Sequence, residues 1–241
     1  MTLEYIAVLA LIAVLSVVQS YFGMGILVFG TPTLLLAGCD FIPTLGYLLP
    51  ASCAISLLQV VTGYSKRPPI SRDLYLLCLP GIGIGLWLVY DSPLASWTNM
   101  LVGGTLLVSA LTRSWGPSRQ LMTNLLEKHQ PTFHLMMGLV HGMTNLGGAL
   151  LAILASGTNT EKEAIRYTVA HYYLAFSIVQ MLMLTTVMGH HGLLFGNLPG
   201  AVVSSLVFLL FGNFIFNRTS NRSYNTALTI FIAIYGIAVL L

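Results

Sequence analysis

Residues 138–149 read GLVHGMTNLGGA, and the fold turns on how that stretch is read. Four glycines (Gly138, Gly142, Gly147, Gly148) and a polar cluster (His141, Thr144, Asn145) interrupt a hydrophobic run. Lipid offers such groups no hydrogen-bond partners. A straight transmembrane helix would bury them against hydrocarbon. A break between two shorter helices would instead place polar groups and free backbone amides inside a membrane domain.

The surrounding chain is made for lipid. Its 241 residues are 56% hydrophobic and only 7% charged, with a mean hydropathy of +0.84, whereas soluble domains are about 25% charged. An all-α polytopic membrane protein is expected, without an extramembrane domain, because no polar stretch is long enough to build a core. Apolar segments fall at 3–21, 24–38, 43–64, 74–90, 94–112, 121–142, 145–157, 164–188, 193–216 and 224–241. Two of them, 24–38 and 145–157, cover roughly 20 Å at 1.5 Å per residue, short of the ~30 Å hydrocarbon core. The start, MTLEYIAVLALIAVLSVV, has no basic region and no obvious small-x-small cleavage site, so it is expected to be a retained first helix.

An internal comparison carries the reading further. Shifted by 119 residues, FGMGILVFGTPTLLLAG (22–38) lies on HGMTNLGGALLAILASG (141–157) without a gap. Gly23 meets Gly142, Met24 meets Met143, Leu27 meets Leu146 and Gly38 meets Gly157. The same shift sets Ala51 on Ala170, and LPG (79–81) on LPG (198–200). Two repeats of five segments follow, 1–115 and 131–241, joined by a polar linker at 116–130. An odd number of segments inverts the second repeat relative to the first.

The charges test that inversion. If 24–38 and 145–157 each form a hairpin with the helix before them, one side collects four basic clusters. These are Lys66, Arg67 and Arg72; Arg113, Arg119 and Lys128; Lys162 and Arg166; and Arg218 and Arg222. Glu4, Asp40 and Asp91 fall on the other side. The positive-inside rule makes the basic side cytoplasmic in a bacterial inner membrane. A straight span over 131–157 would send Arg218 and Arg222 outside. The glycosylation sequons at Asn217-Arg218-Thr219 and Asn221-Arg222-Ser223 lie in that basic loop and are discounted on the same ground.

Short, glycine-interrupted segments at matching places in two halves are the sequence mark of a transporter site. A half-helix that starts inside the membrane exposes free N–H groups and the positive end of its dipole, and so attracts an anion. The first start is expected at Gly23, Gly25, Gly30 and Thr31, with Thr31-Pro32 as cap and first turn. The second is expected at Thr144, Asn145, Gly147 and Gly148. Facing one another, the two would cradle one anion near the bilayer midplane, with His141, Thr144 and Asn145 donating to its oxygens. Ser52, Gln59, Arg166, His171 and Gln180 are candidates for gating or support. The glycines of LPGIGIG (79–85) are read instead as close helix packing.

These residues resemble the sulfite exporter TauE/SafE family (TSUP) of membrane anion transporters. The likeness rests on FGMGILVFGTPTLLLAG, HGMTNLGGALLAILASG, LPGIGIG and LPGAVVS and covers nearly the whole chain. It departs from the family's run of consecutive glycines followed by a proline: repeat 1 has ILVF between Gly25 and Gly30, and repeat 2 has TNLGG and no proline. The resemblance implies movement of sulfur-containing oxyanions, such as sulfite, thiosulfate or sulfonates, across the inner membrane.

No nucleotide motif supplies a built-in ATPase, and no enzyme activity is expected. All seven acidic residues lie at segment ends or in loops, against a carboxylate proton relay. An inside-negative potential drives anions out, by about 2.3 kcal/mol per charge per 100 mV. Secondary or facilitated transport is therefore expected, with the coupling ion, the direction and any homo-oligomer left open. The expected partners are a small anion and membrane lipid. No cofactor is expected, nor a metal, since His190 and His191 have no ligand spacing around them. No basic run interleaved with aromatics points to nucleic acid. Two other classes stay open: a thiol–disulfide electron carrier using Cys39, Cys53 and Cys78, and a structural or assembly membrane protein.

Overall fold

The computed structural model describes residues 3–90 and 128–224, with 226, 227 and 230. The expected segments 94–112 and, for the most part, 224–241, the linker residues 116–127, Asp91, Arg113 and Arg119 lie outside the described residues. Among the described residues every regular element is a helix.

α1 spans Leu3–Phe22 and α2 spans Ile26–Leu36. α3 spans Phe41–Thr62, and α4 spans Leu79–Tyr90 behind a π-turn at Leu74–Cys78. After the linker come α5, Gln130–Thr144, and α6, Gly148–Thr158. α7 is Lys162–Leu182, prolonged by a π-segment to Val187. α8 is His191–Gly196 and α9 is Leu198–Val207. A second π-segment, Phe208–Gly212, leads to α10, Asn213–Asn217. Among the described residues four stretches are long and apolar enough to cross a bilayer: Glu4–Phe22, Phe41–Thr62, Lys162–Val187 and Leu198–Asn217.

Both expected breaks are present. The half-helices α2 and α6 each have 11 residues, about 17 Å of helix against a ~30 Å core. The LPG pair also keeps its register, with α4 starting at Leu79 and α9 at Leu198. The first half-helix begins earlier than expected. Thr31 and Pro32 lie inside α2, not at its start. The fold tolerates Pro32 there at the loss of one ladder bond, to the carbonyl of Val28. Gly30 likewise lies inside the helix, where a Cβ would meet Leu48 Cδ1 at 2.8 Å. The expected span 193–216 begins as the short α8 and turns into the longer α9 at Asn197.

The chain forms two compact units. One holds residues 1–67 with 166–219, the other 68–165 with 220–241. Each unit takes segments from both halves of the sequence. In the first unit α1 packs on α2, α3 and α9. The start of α1 (Glu4, Tyr5, Val8) and the end of α2 (Thr33, Leu34, Ala37) line one cleft of about 750 Å³, so α2 returns antiparallel to α1. In the second unit α4 packs along α5. Gly81 and Gly85 face Gly138 and Gly142, each pair at small-xxx-small spacing. A Cβ at Gly85 would stand 2.6 Å from the Leu139 carbonyl, and one at Gly138 or Gly142 would enter the backbone of Cys78 or Ile82. The expected packing role of LPGIGIG is thus met, with its partner glycines in the stretch 138–142.

Candidate functional site

In the first unit the break is short. Gly23 adopts φ +82, and a Cβ there would stand 3.0 Å from the Arg166 carbonyl. Gly25 is held by close approach, since a Cβ would lie 2.7 Å from the Gln19 amide nitrogen. Gln19, near the end of α1, then reaches across the break. Its Oε1 accepts the Ile26 N–H at 3.0 Å, capping the first amide of α2. The Phe29 N–H donates to the Gly25 carbonyl and starts the helical ladder. Between them the amides of Leu27 and Val28 have no acceptor among the described residues, as the first turn of a helix requires unless something caps it.

A buried polar network holds Gln19. Ser52, Ser56 and Gln59 share one face of α3 at i, i+4, i+7 spacing and are all buried. Gln19 Nε2 donates to the Ser52 carbonyl, Ser52 Oγ and Ser56 Oγ at 3.1, 3.0 and 3.2 Å. Gln59 Nε2 donates to the carbonyls of Gln19 and Ser20 at 2.9 and 3.1 Å. Arg166 also donates to the Ser20 carbonyl, at 3.3 Å, and to Asn213 Oδ1 at 3.4 Å, with its guanidinium over the Phe216 ring. Only 7% of Arg166 is exposed, so the charge is held inside the unit rather than carried to a surface. Ser52 stands eleven residues into the 22-residue α3, about 17 Å along it. The start of α2 is therefore held level with the middle of a spanning helix.

The second break is built differently. Asn145 takes the left-handed conformation at φ 62 and caps the C-terminus of α5, its N–H donating to the His141 carbonyl at 2.7 Å. Asparagine tolerates that region better than most residues. Thr144 Oγ1 donates to the Val140 carbonyl and accepts the Leu146 N–H at 3.2 Å, which commits the hydroxyl to the turn itself. The Gly147 N–H donates to His141 Nδ1 at 3.3 Å. That bond makes His141 an acceptor at Nδ1, with the proton of the neutral ring on Nε2. The Leu151 N–H donates to the Gly147 carbonyl. The amides of Gly148, Ala149 and Leu150 have no acceptor among the described residues.

The structure therefore brings Ser52, Gln59 and Arg166 to the break at Gly23 and Gly25, and gathers His141, Thr144, Asn145, Gly147 and Gly148 at the other. His171 lies on α7 in the first unit, stacked on Tyr167 with 5.9 Å between ring centroids. Gln180 is buried on the same helix. Gln19, Ser20 and Ser56 had been passed over. Their signal was present in the run SVVQSYF (16–22), three polar side chains at the end of an apolar span, and in the polar stripe of α3. Cys39, Cys53 and Cys78 are free thiols.

The family model for the sulfite exporter TauE/SafE matches residues 8–239. The chain belongs to this family. No curated protein and no solved structure matches it. TauE/SafE membership makes the protein a multi-pass membrane transporter of an anion-exporter family, a family of transporters rather than of enzymes. The match runs over both half-helices and both LPG elements.

Proposed function

We propose that the protein carries small sulfur-containing oxyanions, of the sulfite, thiosulfate and sulfonate class, across the bacterial inner membrane by secondary or facilitated transport. The observation that carries this is shared by the two breaks. At each break a side chain of the preceding helix takes one amide, Gln19 that of Ile26 at the start of α2 and His141 that of Gly147 just before α6, and the amides that follow have no acceptor among the described residues. Capping fixes the direction of the helix start, and the open amides and dipole favour an oxyanion over a neutral solute. Gly23, Gly25, Asn145, Gly147 and Gly148 shape the two starts, and Asn145 adds a side-chain donor. His141 acts here as a positioning residue, and Thr144 braces the turn. With its basic loops cytoplasmic, the protein would export anions down the membrane potential.

Flux in proteoliposomes with an imposed potential tests this. Efflux of sulfite, thiosulfate or a small sulfonate should rise with an inside-negative potential and fall in Asn145→Ala. Flux indifferent to potential and to ion gradients sinks the proposal. So does thermal stabilisation by none of these anions. A membrane protein with only a structural role predicts no change of flux in Asn145→Ala, and an electron carrier predicts loss of function when all three cysteines become serine.

A further inference from the structure

We infer that the break in the first unit takes a singly protonated oxyanion, hydrogensulfite in the case of sulfite, and that Gln59 is the residue that reads the proton. The inference rests on the anion-transport reading and narrows its substrate.

Gln59 is 1% exposed. Its Nε2 faces two carbonyls, Gln19 at 2.9 Å and Ser20 at 3.1 Å. A carbonyl takes only a donor, so the amide cannot be turned round. Oε1 is thereby presented as a pure acceptor, and it has no hydrogen-bond partner among the described residues. The hydroxyl of Ser20, 0% exposed, is likewise without one. The carbonyls named at this break are already bonded, and what stands beside Oε1 is a positive charge and open donors. Arg166 holds its guanidinium on the Ser20 carbonyl. Gln19 links Gln59 to the start of α2, where the Leu27 and Val28 amides are open.

Open donors and one cation beside a locked acceptor left unpaired among the described residues describe a definite ligand. A fully deprotonated oxyanion has only lone pairs to set against Oε1. An oxyanion with one O–H gives that proton to Gln59 and its remaining oxygens to the amides. Its single negative charge also matches the one guanidinium. Sites built around a ligand hydroxyl discriminate strongly against analogues that lack it, because the buried partner is then left unpaired.

Among the titratable and charged side chains around Gln59 are Tyr21, next to Ser20 on α1, Arg166 on the Ser20 carbonyl, and Tyr167, against Gly63, with His171 stacked on it. Gln59→Met keeps all four, so a change in pH profile between it and the parent reports the proton on the ligand. It also leaves the Gln19 carbonyl bonded to the Gly23 N–H and the Ser20 carbonyl bonded to Arg166.

The experiment is calorimetric binding to the full-length purified chain. Sulfite, thiosulfate and methanesulfonate are titrated at pH values on both sides of the second ionisation of sulfurous acid. The apparent affinity for total sulfite should fall about tenfold per pH unit above that ionisation, following the competent fraction. Methanesulfonate, a monoanion without a proton, should bind about tenfold or more weaker than hydrogensulfite, with little pH dependence. In Gln59→Met the two affinities should converge. Should that variant not fold, Gln59→Asn, which withdraws the acceptor by one methylene, carries the same comparison. Sulfite affinity that is flat or rises with pH in the parent overturns the inference and leaves anion transport standing. An undiminished preference for hydrogensulfite in the folded variant overturns the role of Gln59. Failure of all three anions to bind at any pH overturns the transport reading with it.

Discussion

Gly23 and Gly142 align at the 119-residue shift and do different work. Gly23 is the break itself, at φ +82 against the Arg166 carbonyl. Gly142 stays helical and lets α5 lie against the backbone of α4 at Ile82. The second break is then made three residues later than the repeat predicts, at Asn145. Two close-packed glycines, Gly138 and Gly142, have been claimed by the helix seam, so the left-handed turn passes to the next residue that tolerates it. The caps differ in the same way. Gln19 ties its half-helix into four polar partners on α2 and α3, whereas His141 caps Gly147 from within the hairpin. Two stretches that align in sequence can thus reach one outcome, a capped half-helix start, through different residues.

Substitutions at matched positions should pull the two breaks apart. Gly142→Val should act most strongly, because backbone cannot move aside as a side chain can. A loss of 3 kcal/mol or more, roughly, is expected for such overpacking, read as failure to purify folded protein or a collapse of the melting temperature. Next comes Gln19→Ala, which leaves the Ile26 amide and the two serines without their partner. About 3 kcal/mol of destabilisation is expected from orphaned buried groups, and a loss no greater than that of an exposed substitution would refute the network. Gly23→Ala should cost about 2 kcal/mol, the price of a left-handed alanine plus a tight contact. Asn145→Gly should change thermal stability least of the four, since glycine adopts the same backbone. Its sulfite flux should nevertheless fall if the Asn145 side chain meets the anion. Equal thermal shifts in Gly23→Ala and Asn145→Gly would erase the distinction between the breaks.

Much of this was legible beforehand. The glycine- and polar-rich stretches announced both breaks, and Ser52 and Gln59 stood out as candidates for gating or support. The start of α2 was less legible. Thr31-Pro32 is a good first turn by local preference, yet Gly23, Gly25 and a glutamine from another helix begin the helix at Ile26 instead. A cap supplied from seven residues back leaves no mark at the residues it caps. Thr144 misled for a related reason. Its hydroxyl looked available to a ligand, but a threonine at a helix end satisfies its own turn first.

Composition and hydropathy by themselves determined that the chain lives in a membrane, because groups that lipid cannot solvate are so few and so clustered. Periodicity and the 119-residue shift determined that there are two short helices at matching places. Only the tertiary structure decided which glycines break a helix and which join two, because both uses need the same missing Cβ. It alone decided that Gln19 and His141 are the caps, since a side-chain hydrogen bond across a turn depends on where the turn sends the chain. And it alone left Gln59 with one oxygen facing no donor among the described residues, a property of packing that no local pattern encodes.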